Sequence, residues 1–336
     1  MLIYITFSNL KKMDLFSFFQ NICGFDISTT QNTKVVEFCR EMNLIPKETT
    51  CQKCLSSMRL GESTTSADQV VWRCPGYIKS DKKKARRCKY LESVRNYTIF
   101  AGSKLPIIKI LLIMYFWIDN LEINKISKYL NISECSVGRW SLAFREIVFD
   151  YFLSNPEPIG GVGSIVEIDE SKFGRRKYHR GHHVEGQWVF GGIDRQTGKV
   201  FLVPVEKRDQ ETLIPLIKTW ILPHSTIISN CWKAYDILDQ EGYEHLRVNH
   251  SLHFKDPASG AHTNTIESLW RHIKQFARVQ LKKKYIAGYL AKYMFLNKCK
   301  MSNQDEFLAL CNIIAQTFNP NESLINDVSE DESSSD

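Results

Sequence analysis

Two acidic residues lie in settings where they could act on a polar substrate. Asp169 ends the apolar run Val166-Glu-Ile-Asp169, which has the composition of a buried strand, and Glu267 lies in an amphipathic stretch that predicts a helix. A strand carboxylate and a helix carboxylate can converge on a divalent cation, and such oxygen ligands suit Mg²⁺ or Mn²⁺. Ions bound there can activate water or a hydroxyl group in phosphodiester chemistry. Taken alone, the pair is also compatible with ordinary exposed acids.

Four cysteines, Cys51, Cys54, Cys74 and Cys88, form a second group with the spacing of metal ligands. The first two make a Cys-x-x-Cys knuckle, and the other two follow at distances that a hairpin can close. Four thiolates make a tetrahedral structural zinc site. The loop-rich region around them can bury little apolar surface, so we expect zinc to supply folding free energy there. Free thiols are the alternative.

Basic residues accompany both groups and indicate a polyanionic partner. Predicted helices at 121–130 and 134–152, the second capped by Ser133, have helix-turn-helix spacing, and Ser141 could also face a major groove; an ordinary αα-hairpin is the alternative. The basic loop at 172–183 could bind phosphates, with a solvated loop as the alternative. The expected DNA-binding residues are Lys82, Lys83, Lys84, Arg86, Arg87, Ser136, Arg139, Arg175, Arg176, Lys177 and Lys274.

The elements that must position the two acids follow an α/β pattern. Short β-rich runs at 164–169, 187–193 and 199–205 predict a meander. The later elements are a helix opened by Asp209, strands at 225–229 and 246–250, and helices at 232–240 and 263–278. The order βββαβαβα fits a mixed sheet covered by helices. We assign four tryptophans to the core: Trp188, Trp220, Trp232 and Trp270.

These patterns divide the chain into seven segments. They are a helical lead-in (1–45), a zinc-ribbon-like finger (46–100), a helix-turn-helix DNA-binding region (101–153), a linker (154–163), an α/β domain (164–300), a C-terminal helix (301–320) and a disordered acidic tail (321–336).

Composition excludes several classes of protein. The 336 residues are 43% hydrophobic and 24% charged, which excludes collagen-like and fully disordered chains. The formal charge of +7 includes six acids and no base in the last fifteen residues, so the remainder is more basic still. The apolar run 107–118 is interrupted by Lys109 and is too short for a bilayer span, and the N-terminus lacks a basic leader. We expect an intracellular protein without a membrane segment.

The segment from Val166 to Arg278 resembles the catalytic domain of Merlin-type DDE transposases and their bacterial insertion-sequence relatives. A zinc ribbon and a helix-turn-helix precede that domain in the family, in the order predicted here. The resemblance rests on Val-Glu-Ile-Asp-Glu-Ser at 166–171, Asn-Cys-Trp-Lys-Ala-Tyr at 230–235, Gly-Tyr-Glu-His at 242–245, Val-Asn-His at 248–250, and His-Thr-Asn-Thr-Ile-Glu-Ser-Leu-Trp at 262–270 with Lys274.

The resemblance implies an RNase H-like fold with a catalytic triad at Asp169, position 230 and Glu267. It also implies two Mg²⁺ or Mn²⁺ ions, cutting of transposon ends, transfer of 3′-hydroxyl strands to target double-stranded DNA, a homo-oligomer and a nuclear location. The family's second acid is Asn230 here, which removes a negative charge from the metal site. We therefore expect a transposase-derived DNA-binding protein with impaired activity. The alternatives are a domesticated non-catalytic DNA-binding regulator and a metal-dependent nuclease without strand transfer.

Overall fold

The computed structural model describes residue 22 and the ranges 32–80, 83–174, 186–249, 260–277 and 283–318. The chain divides into two compact units, one formed by Met1–Ala143 with Asp305–Asp336 and the other by Phe144–Gln304. Within the described ranges, no helix has the length and apolar character needed to cross a bilayer.

The first unit contains two small antiparallel sheets that follow helix α1 (Asn32–Glu41). One sheet has the strand order β1-β2-β5, and the other is the hairpin β3-β4. The strands are β1 (Arg59–Glu62), β2 (Val70–Arg73), β3 (Tyr77–Ser80), β4 (Lys83–Arg87) and β5 (Leu91–Ser93).

Helices complete the first unit: α2 (Ile107–Ile118), α3 (Ile123–Leu130), the start of α4 (Glu134–Ser154), and α8 (Glu306–Thr317). A buried ion pair joins α2 to the preceding sheet. Arg95 donates to both carboxylate oxygens of Asp68 at 2.5 and 2.7 Å, and Asp68 accepts the backbone N–H of Ile107 at 2.8 Å. Asp68 thereby satisfies a free N–H group at the start of α2.

Helix α4 begins with the N-cap that the sequence predicts. Ser133 Oγ accepts the backbone N–H of Ser136 at 3.2 Å, which confirms Ser133 as an N-cap. Ile126 and Val137 are buried, as expected for two helices packed across a turn. The prediction that Ser141 faces a groove is wrong, because Ser141 is buried. It lies one turn after Val137 and therefore on the same inward face of α4.

The second unit is built on a mixed five-stranded sheet with the order β12-β11-β7-β8-β9. Strands β7, β8 and β9 form an antiparallel meander, while β11 and β12 run parallel to β7. The predicted meander and mixed sheet are therefore confirmed. The strands are β7 (Ile165–Phe173), β8 (Gln187–Asp194), β9 (Val200–Val205), β11 (Thr226–Asn230) and β12 (Glu244–Val248), and β6 (Ile159–Gly160) pairs separately with β10 (Ile221–Leu222).

Three further helices belong to this unit: α5 (Gln210–Trp220), α6 (Asn264–Phe276) and α7 (Lys283–Met301). Asp209 caps α5 by accepting the Thr212 N–H at 3.0 Å, as predicted. The predicted helix at 232–240 is wrong, since two short 3₁₀ turns replace it at Lys233–Tyr235 and Leu238–Glu241. The three-residue spacing between buried Tyr235 and Leu238 suits a 3₁₀ repeat better than an α-helical one.

Candidate functional site

Strand β7 presents its acids on two opposite faces. Glu167 and Asp169, two residues apart, share the face covered by α6, and Glu170 points to the other face. Glu167 is fully buried, while Asp169 and Glu170 are partly buried. The strand therefore places two acids on the face covered by α6 and one acid on the opposite face.

Helix α6 lies along β7, and contacts four residues apart on the helix match contacts two residues apart on the strand. The Ile266 backbone N–H donates to Glu167 Oε2 at 2.9 Å, and the Trp270 indole N–H donates to Asp169 Oδ2 at 3.0 Å. Four helical residues advance about 6 Å and two strand residues about 6.6 Å, so successive contacts coincide. Phe173 extends the line, with its ring 6.1 Å from that of Trp270. This register fixes where the first turn of α6 stands relative to Asp169.

Glu267 lies in that first turn, is exposed, and accepts a hydrogen bond from Thr263 Oγ1 at 3.1 Å. It precedes Trp270 by three residues, which puts both side chains on one side of α6. Glu267 therefore lies one helical turn before Trp270, the residue that donates to Asp169.

Asn230 ends β11 on the neighbouring parallel strand. The last pair between the two strands joins Ile228 to Glu167, so two residues further on Asn230 comes level with Asp169. Asn230 is partly buried, and its Oδ1 accepts the backbone N–H of Trp232 at 3.1 Å. Two of the three positions predicted from the sequence thus lie on adjoining parallel strands, and the third lies on the helix that packs along β7.

A buried network that the sequence analysis missed holds α6 in place. Arg195 donates to Glu167 Oε1 at 2.6 Å and to the His262 backbone oxygen at 2.7 Å. Glu167 also accepts the Ile266 N–H, so one carboxylate joins β7, the turn after β8 and the start of α6. A buried charge is tolerated only with such partners. The available signal was an acid two residues before Asp169 on the same face of an apolar strand.

Glycines on β8 make room for this arrangement. A Cβ at Gly191, which pairs with Asp169, would lie 2.7 Å from Trp270 Cη2 and 2.9 Å from a Leu202 methyl carbon. A Cβ at Gly192 would lie 2.3 Å from the Phe201 ring on the opposite face. Both positions therefore require glycine for close approach of an aromatic ring.

A second set of hydrogen bonds supports Asn230 from the other face. The Tyr235 hydroxyl donates to Glu170, and burial raises the pKa of that carboxyl above its usual value. Ser229 Oγ lies 2.8 Å from His245 Nε2 and donates to the Asn230 backbone oxygen at 2.8 Å. Burial lowers the pKa of His245, which favours the neutral ring.

The four predicted zinc ligands come together. Their Sγ atoms all lie within 4.8 Å of one another, with Cys51–Cys88 at 3.7 Å and Cys54–Cys74 at 3.2 Å. A tetrahedron with Zn–S bonds of about 2.3 Å has S–S edges of about 3.8 Å. The donors therefore fit a metal such as zinc, and among the described residues this is the one cluster of three or more His, Cys, Asp or Glu ligands with that proximity.

Local hydrogen bonds favour the thiolate of Cys54, whereas burial raises the pKa of the Cys74 thiol to about 12. Backbone N–H groups of Lys53 and Gly76 each donate to a cysteine sulfur at 3.4 Å. A hydrogen bond from Ser56 lowers the pKa of the Cys54 thiol to about 6. Gly76 is required here, since a Cβ would lie 2.8 Å from Cys54 Sγ.

The predicted DNA-binding residues are dispersed. Arg86, Arg87, Arg139 and Lys274 are exposed, and Ser136 is partly exposed. Partial burial lowers the pKa of Lys274, and the nearby Asp169 carboxylate opposes that shift. Strand β4 contains Lys83 and Lys84, while Lys82, Arg175, Arg176 and Lys177 lie outside the described residues.

Trp232 does not belong to the core, which makes that prediction wrong. Its residue surface is 43% exposed, while Trp270 is buried and Trp188 and Trp220 are partly buried. The Asn230 side chain turns the backbone immediately after β11, and the Trp232 indole N–H donates to the Arg208 backbone oxygen at 2.8 Å. Arg208 lies against the ring, with Cζ 5.2 Å from its centroid.

Comparison with known proteins shows that the second unit is similar to a transposase domain. Residues 159–296, which include all five strands of the main sheet, match the model of the ISXO2-like transposase domain. A transposase-like protein of Haemophilus influenzae, described as uncharacterized, is 34% identical over 77 residues, 23% of this chain. The match spans 61% of that relative's length. Both findings support the expected relation to insertion-sequence transposases.

A solved structure gives only a distant likeness. It is described as a simian T-cell lymphotropic virus intasome in complex with the PP2A regulatory subunit B56 gamma. The alignment covers 41% of this chain and 51% of that chain at 12% identity, with a TM-score of 0.25. That score is too low to bear on the fold.

Proposed function

We propose that the second unit is an RNase H-like DDE core of Merlin type, within a transposase-derived DNA-binding protein. The observation that carries the proposal is the placement of Asp169 and Asn230 on two adjoining parallel strands and of Glu267 on the helix that packs along β7. The fold assignment rests on a three-strand meander, β7-β8-β9, whose first strand is flanked on its other side by the parallel strands β11 and β12. Function is argued from this site, since a fold alone permits many activities.

Asp169 and Glu267 would hold Mg²⁺ or Mn²⁺, with the Asn230 amide oxygen as a neutral third donor. Oxygen donors of this kind fit hard cations, which in such sites stabilise attacking and leaving oxygens in phosphodiester chemistry. Trp270 orients the Asp169 carboxylate through its indole N–H. Glu167 and Arg195 hold the helix that carries Glu267. These residues set the geometry before any metal or DNA binds.

Asn230 reduces the strand-transfer activity of this core. It lacks the charge that a carboxylate would contribute between two cations, so metal affinity falls. Its side-chain oxygen is also the acceptor of the Trp232 N–H, which leaves fewer lone pairs for a metal. The same observation favours a second candidate function, a domesticated regulator that binds DNA and does not cut it.

DNA binding is assigned to the zinc ribbon, the paired helices α3 and α4, and basic residues near the catalytic core. Exposed Arg86 and Arg87 on β4 would contact phosphates, and exposed Arg139 near the start of α4 would read base edges. A homo-oligomer acting on transposon ends in the nucleus completes the proposal, which for these features rests on the family resemblance.

The test combines binding and cleavage by the full chain. We expect affinity for a labelled DNA duplex to fall with salt, and the double variant Arg86→Ala, Arg87→Ala to reduce the log–log slope by about 2. Cleavage of a supercoiled plasmid in Mn²⁺ should be weak for the natural protein and absent for Glu267→Gln. No duplex binding at any salt concentration would refute the proposed function. Binding without cleavage, unchanged by Asn230→Asp, would select the regulator.

A further inference from the structure

Four side chains, alternately cationic and aromatic, form a row of successive contacts near the end of β11. Lys172 Nζ lies 5.5 Å from the Trp188 ring centroid, and Arg208 Cζ lies 3.8 Å from that centroid. Arg208 Cζ also lies 5.2 Å from the Trp232 ring. We call Lys172, Trp188, Arg208 and Trp232 the cation–aromatic ladder. Each contact lies within the range of a cation–π interaction.

The ring that ends the ladder is exposed and yet fixed. Trp232 is 43% exposed, and its backbone N–H donates to Asn230 Oδ1 at 3.1 Å. Its indole N–H donates to the Arg208 backbone oxygen at 2.8 Å. The ring is thus held at both its backbone and its polar edge, so a ligand that stacks on it costs little side-chain entropy. An apolar plane fixed in water in this way is suited to a flat ligand.

The charge around the ring indicates the chemical class of that ligand. Besides Lys172 and Arg208, exposed Lys207 and Lys233 adjoin the ladder residues in the chain. The neighbouring acid Asp209 is engaged as the cap of α5. A flat face with cations beside it suits a nucleotide, whose base stacks while its phosphate meets the charges.

We propose that the cation–aromatic ladder binds an unpaired DNA base by stacking on Trp232. The inference rests on the proposed function, which supplies DNA as the substrate. Trp232 follows Asn230 by two residues, so a nucleotide stacked there lies close to the end of β11. Stacking tolerates any base, because every base has a flat face. The ladder would hold an unpaired nucleotide beside the end of β11, on the face of the sheet that carries Lys172 and Trp188.

The experiment measures binding of the full chain to two DNA probes. One probe is a blunt duplex, and the other is the same duplex with a short single-stranded thymine extension. We expect the natural protein to prefer the extended probe about tenfold, the effect of one stacked base. Trp232→Ala should abolish the preference without changing affinity for the blunt duplex, and Trp232→Phe should retain most of it. Leu222→Ala, which removes a 40% exposed apolar side chain outside the ladder, should leave both affinities unchanged.

A second measurement needs no variant. The fluorescent base 2-aminopurine replaces one base of the extension, and stacking on Trp232 should quench it at saturating protein. Full fluorescence in the bound complex would overturn the proposal, as would an unchanged preference in folded Trp232→Ala. Equal affinity of the natural protein for both probes contradicts this inference alone. Binding to neither probe contradicts the proposed function as well.

Discussion

Replacing Asn230 with Asp tests how the candidate site would hold metal. The change is nearly isosteric, and a carboxylate can still accept the Trp232 N–H, so the turn after β11 should persist. The new charge comes level with Asp169 on the adjoining parallel strand, where backbones are about 4.8 Å apart. Two like charges at about that distance repel by about 1 kcal/mol when solvated. In buffer without Mg²⁺ or Mn²⁺ the variant should therefore be less stable by about that amount, which corresponds to a fall in Tm of roughly 2–4 °C.

Mn²⁺ should reverse the sign of this effect. A third carboxylate raises the affinity for a divalent cation, and we expect a gain of about 10- to 100-fold, or about 1.4–2.8 kcal/mol. Ligand binding to the folded state then raises Tm above that of the natural protein at saturating Mn²⁺. The assays are calorimetric titration with Mn²⁺ and thermal unfolding, both on zinc-loaded protein so that the cysteine site contributes equally.

Two matched variants separate charge from turn geometry. Asn230→Ser keeps a neutral side chain that can still accept the Trp232 N–H, and it should show neither the destabilisation without Mn²⁺ nor the gain with it. Asn230→Asp combined with Glu267→Gln should lose the gain. Equal Mn²⁺ affinity for the natural protein and Asn230→Asp would refute the reasoning that these residues share a metal.

Three further outcomes follow from the structure. The natural protein should contain about one zinc ion by elemental analysis, and Cys74→Ser should lose it; full zinc in that variant would rule out the four-sulfur site. Glu167→Gln should lower the urea unfolding free energy by about 3 kcal/mol because it leaves Arg195 without its charged partner, whereas Glu206→Gln in an exposed pair should cost under about 1 kcal/mol. Burial lowers the pKa of His245, so below the ordinary value of 6.5 the unfolded chain binds a proton that the folded chain does not, and stability falls as pH drops. His245→Gln should show a smaller loss of unfolding free energy between pH 7.5 and pH 5.5; an identical pH profile would contradict this assignment.

Local patterns predicted the parts of the molecule that depend on local chemistry. The Cys-x-x-Cys knuckle needs only ligand spacing, and the strands of the main sheet need only a run of β-branched and aromatic residues. Helix caps at Ser133 and Asp209 involve donors three residues away, so the sequence alone identified them.

The sequence did not predict features that depend on residues far apart in the chain. Glu167 reads as one more strand acid until Arg195 and His262, 28 and 95 residues later, come beside it. Trp232 reads as a core residue, because aromatic residues are usually buried and the turn made by Asn230 has no periodic signal. Of the candidate site, the sequence thus indicated the three positions, while the residues that orient them required the structure.

The two adjacent glycines of β8 link the stability of the main sheet to the orientation of Asp169. Glycine weakens a strand because it loses more backbone entropy on folding and offers no side chain to pack. Here the missing contacts are supplied by aromatic rings from other elements, Trp270 over Gly191 and Phe201 over Gly192. The Trp270 ring therefore fills the space beside Gly191, while its indole N–H orients Asp169. A substitution at Trp270 therefore changes both the packing of the sheet and the orientation of Asp169, so this residue is constrained by folding and by the candidate site together.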